Sequence, residues 1–380
     1  METKKYRFDE VTINFDKKRI PLSSAQREKR QGTFRYYGAQ GVIDHVDDYI
    51  FDGTYLLIAE DGENLKSKKQ NIAQVVDGQF WVNNHAHIVQ GNEQCDTRFL
   101  CYLINSMDLS GYVTGSAQPK LSQANLNAVT LSLPTLAEQK RIVEYLYMLD
   151  QKIDVNRQIN DNLEQQAQSY FQELFVDNAD PEWTTGTISD LGTVVGGSTP
   201  SKAKPEYYTE SGIAWITPKD LSNNKSKFVS HGENDITELG LRNSSASIMP
   251  EGTVLFSSRA PIGYIAIAAG EVTTNQGFKS VVPKPEIGTP FVYFFLKNTL
   301  PVIEGMASGS TFKEVSGSTM KNVPAVIPDA ETLAKFSDFC APIFAQQRIL
   351  EEQNQSLATL RDNLLPKLMS GEIDVSAVQL

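Results

Sequence analysis

The chain has few cysteines, no long apolar run and none of the short motifs that mark nucleotide-binding enzymes. Cys95, Cys101 and Cys340 form no CxxC pair and no even disulfide set, which favours a reducing, cytoplasmic location. No stretch approaches the roughly 18 apolar residues of a membrane-spanning helix. The glycine-rich segment from Gly196 to Lys202 lacks the second glycine of a phosphate-binding loop. We therefore expect no membrane partner and no nucleotide site on this chain.

Charge is distributed unevenly along the chain. The net charge of −11 at first argues against a nucleic-acid partner. However, residues 135–180 and 329–380 carry −5 and −4, whereas residues 1–134 and 181–328 carry −1 each. Residues 1–35 hold 10 basic and 5 acidic side chains. A basic face on an otherwise balanced domain is therefore compatible with the composition.

The chain contains an internal duplication. Gly115 to Phe175 can be aligned without a gap on Gly309 to Met369, at a constant shift of 194 residues. Solenoid repeats are much shorter, about 20–50 residues. The long period instead indicates a duplicated module, in which a globular part is followed by a long helix. Two copies of a binding module predict one pseudo-symmetric object that contacts a bipartite target.

Each copy ends in a segment with 3-4 apolar spacing, which is typical of a coiled-coil seam. Because both segments share one register, we predict that they pair as an antiparallel coiled coil with pseudo-twofold symmetry. Asn160 and Asn354 lie on the predicted seam, where they either fix register and partner or face solvent at a loosened stretch. Pro342 and Pro366 predict a kink or an end in the second helix. Representative seam positions are Leu149, Asn160, Leu163, Ile343, Asn354 and Leu357.

The predicted fold class is α+β, with two mixed α/β domains that each precede a long helix. Alternating runs rich in aromatic and β-branched residues, such as Phe80 to Val89, predict strands in the globular parts. Thr135 and Glu138 have the form of a capping box at the start of the first helix. The predicted boundaries are 1–134 for the first globular domain, 135–177 for the first helical region, 178–330 for the second globular domain and 331–380 for the second helical region.

Several stretches together resemble the specificity subunit of a type I restriction–modification system. Segments resembling the start of a target recognition domain occur in both halves, and both helix endings resemble the family's shared helical regions. The resemblance covers nearly all 380 residues, but such domains diverge greatly, so it does not indicate which bases are read. The stretches are Arg19–Arg27, Gly32–Gly41, Phe80–His87, Gly197–Ser201, Ile213–Asp220, Leu163–Phe171 and Leu357–Ile373.

The resemblance implies a non-catalytic DNA-reading subunit in which each target recognition domain reads one half of a bipartite double-stranded DNA site. The helices would set the spacing and dock two methyltransferase subunits, and two motor-nuclease subunits would join for cleavage. S-adenosylmethionine, ATP and magnesium would belong to those partners, with no cofactor on this chain. A duplicated coiled-coil scaffold without DNA binding is the main alternative. A self-contained nuclease or methyltransferase is a second alternative, which the lack of an Asn-Pro-Pro-aromatic box disfavours.

Candidate DNA contacts are basic, amide or aromatic residues near glycine- and serine-rich loops. Most are expected to contact phosphate, and a few to read base edges. The repeated loop, Gly115–Ser122 and Gly309–Ser316, contributes Gln118, Lys120, Thr311 and Lys313. The other candidates are Lys17, Lys18, Arg19, Arg27, Lys29, Arg30, Arg35, Tyr36, Tyr37, Lys66, Lys68, Lys69, His85, Lys202, Lys204, Lys219, Lys225, Lys227, Arg242 and Arg259.

Two further groups of residues have more than one interpretation. His85 and His87 could place two imidazoles on one strand face as metal ligands. Without a nearby carboxylate or cysteine cluster in the sequence, a DNA contact or a hydrogen-bonded core pair is favoured, and no metal site is predicted. Acidic residues of the first helix, including Glu164, are predicted to face outward and to meet basic partner surface, or to form an ordinary solvated face.

Overall fold

A computed structural model describes residues 2–68, 70–115, 118–309 and 313–373. The chain forms two compact units. The first comprises Met1–Ile153 and Ser356–Leu380, and the second comprises Asp154–Gln355. Each unit therefore contains one globular part together with a portion of each long helix.

The first unit contains two four-stranded sheets and a two-stranded ribbon. One sheet has the order β2-β9-β6-β7, the other has the order β4-β3-β8-β5, and β1 pairs with β10. The strands are β1 (Lys4–Arg7), β2 (Thr12–Asn14), β3 (Gln31–Gly38), β4 (Gly41–Val46), β5 (Phe51–Asp52), β6 (Tyr55–Ala59), β7 (Ala73–Val76), β8 (Gln79–Val82), β9 (Ala86–Gly91) and β10 (Thr130–Leu133).

Helices cover one side of the β2-β9-β6-β7 sheet and bury its apolar face. Phe99 and Leu100 of α4 pack with Leu56 of β6 in the main core of the unit. Asp96 begins α4, because its carboxylate accepts hydrogen bonds from two backbone N–H groups of the first turn. The helices are α1 (Phe8–Val11), α2 (Ser24–Glu28), α3 (Asn64–Ser67), α4 (Thr97–Ser106), α5 (Gln123–Asn127) and the long α6 (Leu136–Gln172), which ends in a π-helical turn, Glu173–Asp177.

The second unit repeats this arrangement with one extra strand. Its sheets have the orders β12-β20-β17-β18-β15 and β13-β16-β14-β19, and β11 pairs with β21. The strands are β11 (Thr184–Thr187), β12 (Gly192–Gly196), β13 (Tyr208–Thr209), β14 (Ile213–Ile216), β15 (Phe228–Val229), β16 (Asn234–Ile236), β17 (Val254–Ser258), β18 (Ile262–Ala268), β19 (Thr273–Thr274), β20 (Lys279–Pro283) and β21 (Pro324–Ile327).

The core of the second unit is rich in phenylalanine. Phe171 of the first long helix packs against Phe291, Phe294 and Phe336, with ring centroids 5.8–5.9 Å apart. Aromatic clusters of this kind bury large apolar areas and so stabilise the junction between helix and domain. The remaining helices are α7 (Ile188–Leu191), α8 (Pro218–Asn223), α9 (Glu238–Arg242), α10 (Thr289–Met306), α11 (Gly317–Lys321) and the long α12 (Ala330–Ser370).

The two long helices contact each other within each unit. In the first unit, Arg361 donates to Asp150 at 2.7 Å. In the second, Asn156 donates to Asn354 at 2.9 Å, and Asn160 donates to the Gln347 carbonyl at 3.3 Å. Within the second unit the contact positions advance along α6, from Asn156 to Asn160, as they recede along α12, from Asn354 to Gln347, which is the antiparallel order. All six representative seam positions are buried or partly buried.

The polar residues of the seam face the partner helix. Asn160 and Asn354 are partly buried, and the side-chain oxygens of Asn156 and Asn160 are buried without a hydrogen-bond partner. Such a polar layer lowers stability and favours one register.

The ends of the long helices are defined in part by local chemistry. Thr135 and Glu138 form the predicted reciprocal capping pair, at 2.9 and 3.4 Å. By contrast, α12 runs without interruption through Pro342 and Pro366, so neither proline ends the helix. The neighbouring Cys340 and Ile343 are buried in the core of the second unit. This packing favours the helix around Pro342, although the proline removes one backbone donor.

Candidate nucleic-acid interface

In the first unit, a tight turn lies where the chain leaves one sheet and enters the other. We call residues 83–86, which run from the end of β8 to the first residue of β9, the first crossover turn. The Asn83 N–H donates to the Tyr37 carbonyl at 3.0 Å, and the Asn83 side-chain oxygen accepts from the His85 N–H at 2.8 Å. The His85 carbonyl then accepts from the N–H of Glu60 at 2.9 Å. Asn83 is itself buried, so it serves as an internal brace for the turn.

The second unit builds the same turn from different residues. Residues 275–278, between β19 and β20, form the second crossover turn. The Asn275 N–H donates to the Ile216 carbonyl at 3.0 Å, and its side-chain oxygen accepts from the Gly277 N–H at 2.8 Å. The Gly277 carbonyl accepts from Ser258 at 2.7 Å. Each of these hydrogen bonds in the first crossover turn thus has a counterpart in the second. The turn residues that form them lie 192 positions further along the chain.

The repeated loop is attached to each crossover turn through one strand end. In the first unit, Leu121 donates to the Glu60 carbonyl at 2.8 Å, and in the second, Val315 donates to the Ser258 carbonyl at 2.9 Å. Thr114 and Lys120 close the first copy by exchanging both backbone hydrogen bonds, at 2.8 Å each. Ser308 and Glu314 close the second copy in the same way, at 3.1 and 2.8 Å.

A buried cation lies beneath the first crossover turn. His87 is 1% exposed, its Nδ1 lies 2.6 Å from Asp16 Oδ2, and its Nε2 lies 2.8 Å from the Leu121 carbonyl. Both ring nitrogens face acceptors, so both must carry a proton for both bonds to form, which makes the ring an imidazolium. Burial alone would lower the pKa of His87, but these two bonds and the charges of Asp16 and Glu60 together raise it.

A lysine occupies the corresponding position in the second unit. Lys279 donates to the carbonyls of Gln276 and Phe278 at 3.3 Å and lies 3.8 Å from Glu314. Glu314 also pairs with Arg259 at 3.5 Å. In the first unit, Lys120 of the repeated loop pairs with Glu60 at 3.2 Å. Each repeated loop is thus tied to its unit by an ion pair, with the signs of the charges exchanged.

Most of the predicted DNA contacts lie on or near the surface of the two units. Within the residues that the structure describes, seven of the candidates have no ion pair and no backbone hydrogen bond from the side chain: Lys17, Lys18, Lys29, Gln118, Lys202, Lys225 and Lys313. Others pair with carboxylates, namely Arg19, Arg27, Arg30, Lys68, His85, Lys120, Lys204, Lys219, Arg242 and Arg259. Arg35 and Lys66 donate to backbone carbonyls.

Lys69 and Thr311 lie outside the described residues. Among the described residues, no group of three or more histidine, cysteine, aspartate or glutamate side chains could hold a metal ion. His87 is a hydrogen-bonded core residue and His85 pairs with Asp61 at 2.7 Å, so the two histidines have separate partners.

Four candidates belong to the interior. Tyr36 and Tyr37 are 0% and 4% exposed and pack in apolar clusters. Arg19 has only 16% of its side chain exposed and donates to Glu60 and the Ala86 carbonyl, both at 2.9 Å. These three residues support the first crossover turn and its sheet and do not present themselves to a ligand. The prediction that these three side chains belong to an exposed basic surface is therefore wrong. It rested on the basic residues that neighbour them in the sequence, which do not reveal burial.

Lys227 is the fourth predicted DNA contact that lies in the interior. Its Nζ lies 2.7 Å from Glu164 Oε2 and 3.6 Å from the Phe344 ring centroid, and its side chain is 7% exposed. Lys297 also contacts Glu164, at 2.5 Å. Burial lowers the pKa of Lys227 to about 8, and the two lysines bring the pKa of Glu164 to about 2 against the effect of burial. The prediction that Glu164 faces outward is therefore wrong, because this carboxylate bridges α6 to the second unit's core.

Sequence reasoning overlooked the crossover turns. Asn83-Asn84 and Asn275-Gln276 stand 192 residues apart, which differs from the 194-residue shift of the helical repeat. A search for the duplication at slightly different shifts could have aligned them. Asn84 and Gln276 are both exposed, and each immediately follows its bracing asparagine, of which Asn83 is buried and Asn275 is partly buried.

The sequence is similar to proteins of one class. Over 191 residues it is 39% identical to the MjaIX specificity subunit, a type I restriction enzyme subunit of Methanocaldococcus jannaschii, covering 48% of this chain and 44% of that protein. The HindI specificity subunit of Haemophilus influenzae is 24% identical over 404 residues, covering 85% of this chain and 84% of the relative. The first of these matches thus spans less than half of the relative's length.

The family described as type I restriction modification DNA specificity domain matches residues 2–165 and again residues 181–360. The chain belongs to this family. Its fold is also that of a solved specificity subunit from M. genitalium, with a TM-score of 0.58, 16% identity and coverage of 97% of this chain and 96% of that chain. The α+β class with two specificity domains and two long helices is thereby confirmed. None of the described helices is long and apolar enough to cross a bilayer.

Proposed function

We propose that the chain is the DNA-reading subunit of a type I restriction–modification complex, and that each unit reads one half of a bipartite target in double-stranded DNA. One observation carries the proposal: the family's DNA specificity domain occurs twice, and both copies build the same crossover turn with the same hydrogen bonds. Two copies of one reading surface suit a site with two separate halves.

The exposed positive charges on the two units suit DNA. Exposed lysines without a carboxylate partner, such as Lys17, Lys202 and Lys313, can neutralise phosphates and set position. Arginines that already hold a carboxylate, such as Arg259 with Glu314, would have to exchange that partner for phosphate. The first group is therefore expected to contribute more to the salt dependence of binding.

The long helices would set the spacing between the half-sites and dock two methyltransferase subunits, which two motor-nuclease subunits would join. In this scheme the chain itself is non-catalytic. S-adenosylmethionine, ATP and magnesium would be held by the partners. The acidic surface of the helices, residues 135–180 and 329–380, would receive basic partner surface and repel DNA.

The test is to map methylated adenines in cells with and without the gene, beside its methyltransferase partner. Loss of one split motif, two short specific halves around a fixed gap, is the expected result. If the purified complex binds no DNA in a salt-dependent manner and no motif is lost, the chain acts as a coiled-coil scaffold and the proposal fails.

A further inference from the structure

The two crossover turns each present one exposed carboxamide. Asn84 and Gln276 occupy the same place in the turn, directly after the bracing asparagine and before the residue whose N–H donates to that asparagine. Both are exposed. The turn backbone is held at both ends by bonds of 2.7–3.0 Å. A side chain on such a support is displayed in a defined position, which is what recognition of a base edge requires.

The surroundings of the two carboxamides differ in an informative way. The Gln276 side-chain oxygen accepts a hydrogen bond from the Thr199 hydroxyl, which orients the amide and leaves its NH₂ group available. The Asn84 side chain has no hydrogen-bond partner among the described residues, although its backbone carbonyl accepts from Arg19 at 3.4 Å. Neither amide is needed to hold the fold together, because the bracing is done by Asn83 and Asn275.

We infer that Asn84 and Gln276 are base-reading residues, one for each half of the target. This inference rests on the proposed function. A carboxamide can pair with both the N6 amino group and N7 of adenine in the major groove, donating through its NH₂ group and accepting through its oxygen. The oxygen of Gln276 has a second lone pair for this purpose, since Thr199 uses only one. The preferred base at each position is adenine.

The experiment uses the full chain in complex with its methyltransferase subunits and a library of randomised double-stranded DNA, followed by sequencing of the bound fraction. Gln276→Ala should lose preference at one base pair of one half-site by about tenfold and leave the other half-site unchanged. Asn84→Ala should do the same in the opposite half-site. Gln276→Glu keeps the size of the side chain but replaces the donor with an acceptor, and should shift that position toward cytosine.

The matched controls are Gln123→Ala in the first unit and Asn223→Ala in the second, which remove exposed carboxamides outside the turns. The DNA motif that each control complex selects from the library should equal the motif that the unaltered complex selects. If the unaltered complex selects a bipartite motif and all three turn variants select the same motif, the inference is overturned while the proposed function stands. If the unaltered complex selects no motif, the proposed function itself has failed.

Discussion

At the scale of single residues, His87 shows how a buried charge supports a loop that the sequence presents as a surface feature. Its imidazolium joins Asp16, near the start of the chain, to the Leu121 carbonyl at the end of the repeated loop. Glu60, the second carboxylate near His87, forms ion pairs with Arg19 and Lys120. The anchoring of Leu121, at the end of the repeated loop in the first unit, therefore depends on a titratable group.

The raised pKa of His87 gives a pH dependence with a definite sign. The folded chain binds this proton more tightly than the unfolded chain, in which the pKa of histidine is about 6.5. The stabilisation is complete below that pH and is lost as pH rises through the higher folded-state pKa. We expect His87→Gln to flatten the fall in the free energy of unfolding above pH 6.5, measured by denaturant titration of the full chain.

The control for this prediction is His85→Gln, which removes a half-exposed imidazole from the same turn. It leaves the contacts of His87 with Asp16 and the Leu121 carbonyl in place, so it should not reproduce the effect of His87→Gln. Identical pH profiles for His87→Gln and the unaltered chain would contradict the assignment of His87 as a buried imidazolium.

At the scale of secondary-structure elements, the cluster around Glu164 joins α6 to the second unit. Glu164 contacts Lys227 and Lys297, and the Glu351 carboxylate of α12 accepts from the backbone N–H groups of Lys227 and Phe228 at 2.7 and 3.0 Å. The Lys227 ammonium group also lies over the rings of Tyr293 in α10 and Phe344 in α12. Both long helices are therefore fixed to the same short segment, Lys227 and Phe228, at the start of β15.

Glu164→Gln is expected to lower the free energy of unfolding by about 3 kcal/mol, because it leaves a buried lysine without its carboxylate. Lys227→Met should cost less, since methionine keeps the packing against Phe344 and Glu164 retains Lys297. Denaturant titration of the full chain measures both. Equal losses, or a smaller loss for Glu164→Gln, would show that the ion pair is not what holds this junction.

How much could be predicted differs between the elements. The long helices follow from the 3-4 spacing, because that spacing reports directly which positions are buried. Lys227 could not be placed, because a lysine near a glycine- and serine-rich loop looks the same in sequence whether it meets solvent or Glu164. The crossover turns were missed because their brace is a single asparagine whose bonds join residues far apart in the chain, such as Asn83 to Tyr37.

At the scale of the whole molecule, the two long helices are proposed to act as a ruler that sets the gap between the half-sites. Insertion of one heptad into α6 after Ile153 and one into α12 after Gln355 preserves the seam register in both helices. Seven residues add about 10 Å of helix, or about three base pairs of DNA. The gap in the methylated motif should therefore lengthen while both half-sites persist.

Five-residue insertions at the same places break the register and are expected to lower the denaturation midpoint. An unchanged gap after the heptad insertions would contradict the ruler.

The central claim, that each unit reads its own half-site, is tested most directly by exchanging one recognition domain. Residues 181–328 would be replaced by the matching part of a relative with a different target, and methylated adenines would be mapped in cells that also supply the methyltransferase partner. The account predicts that one half of the motif changes while the other half and the gap stay as they were. A change in both halves would contradict it.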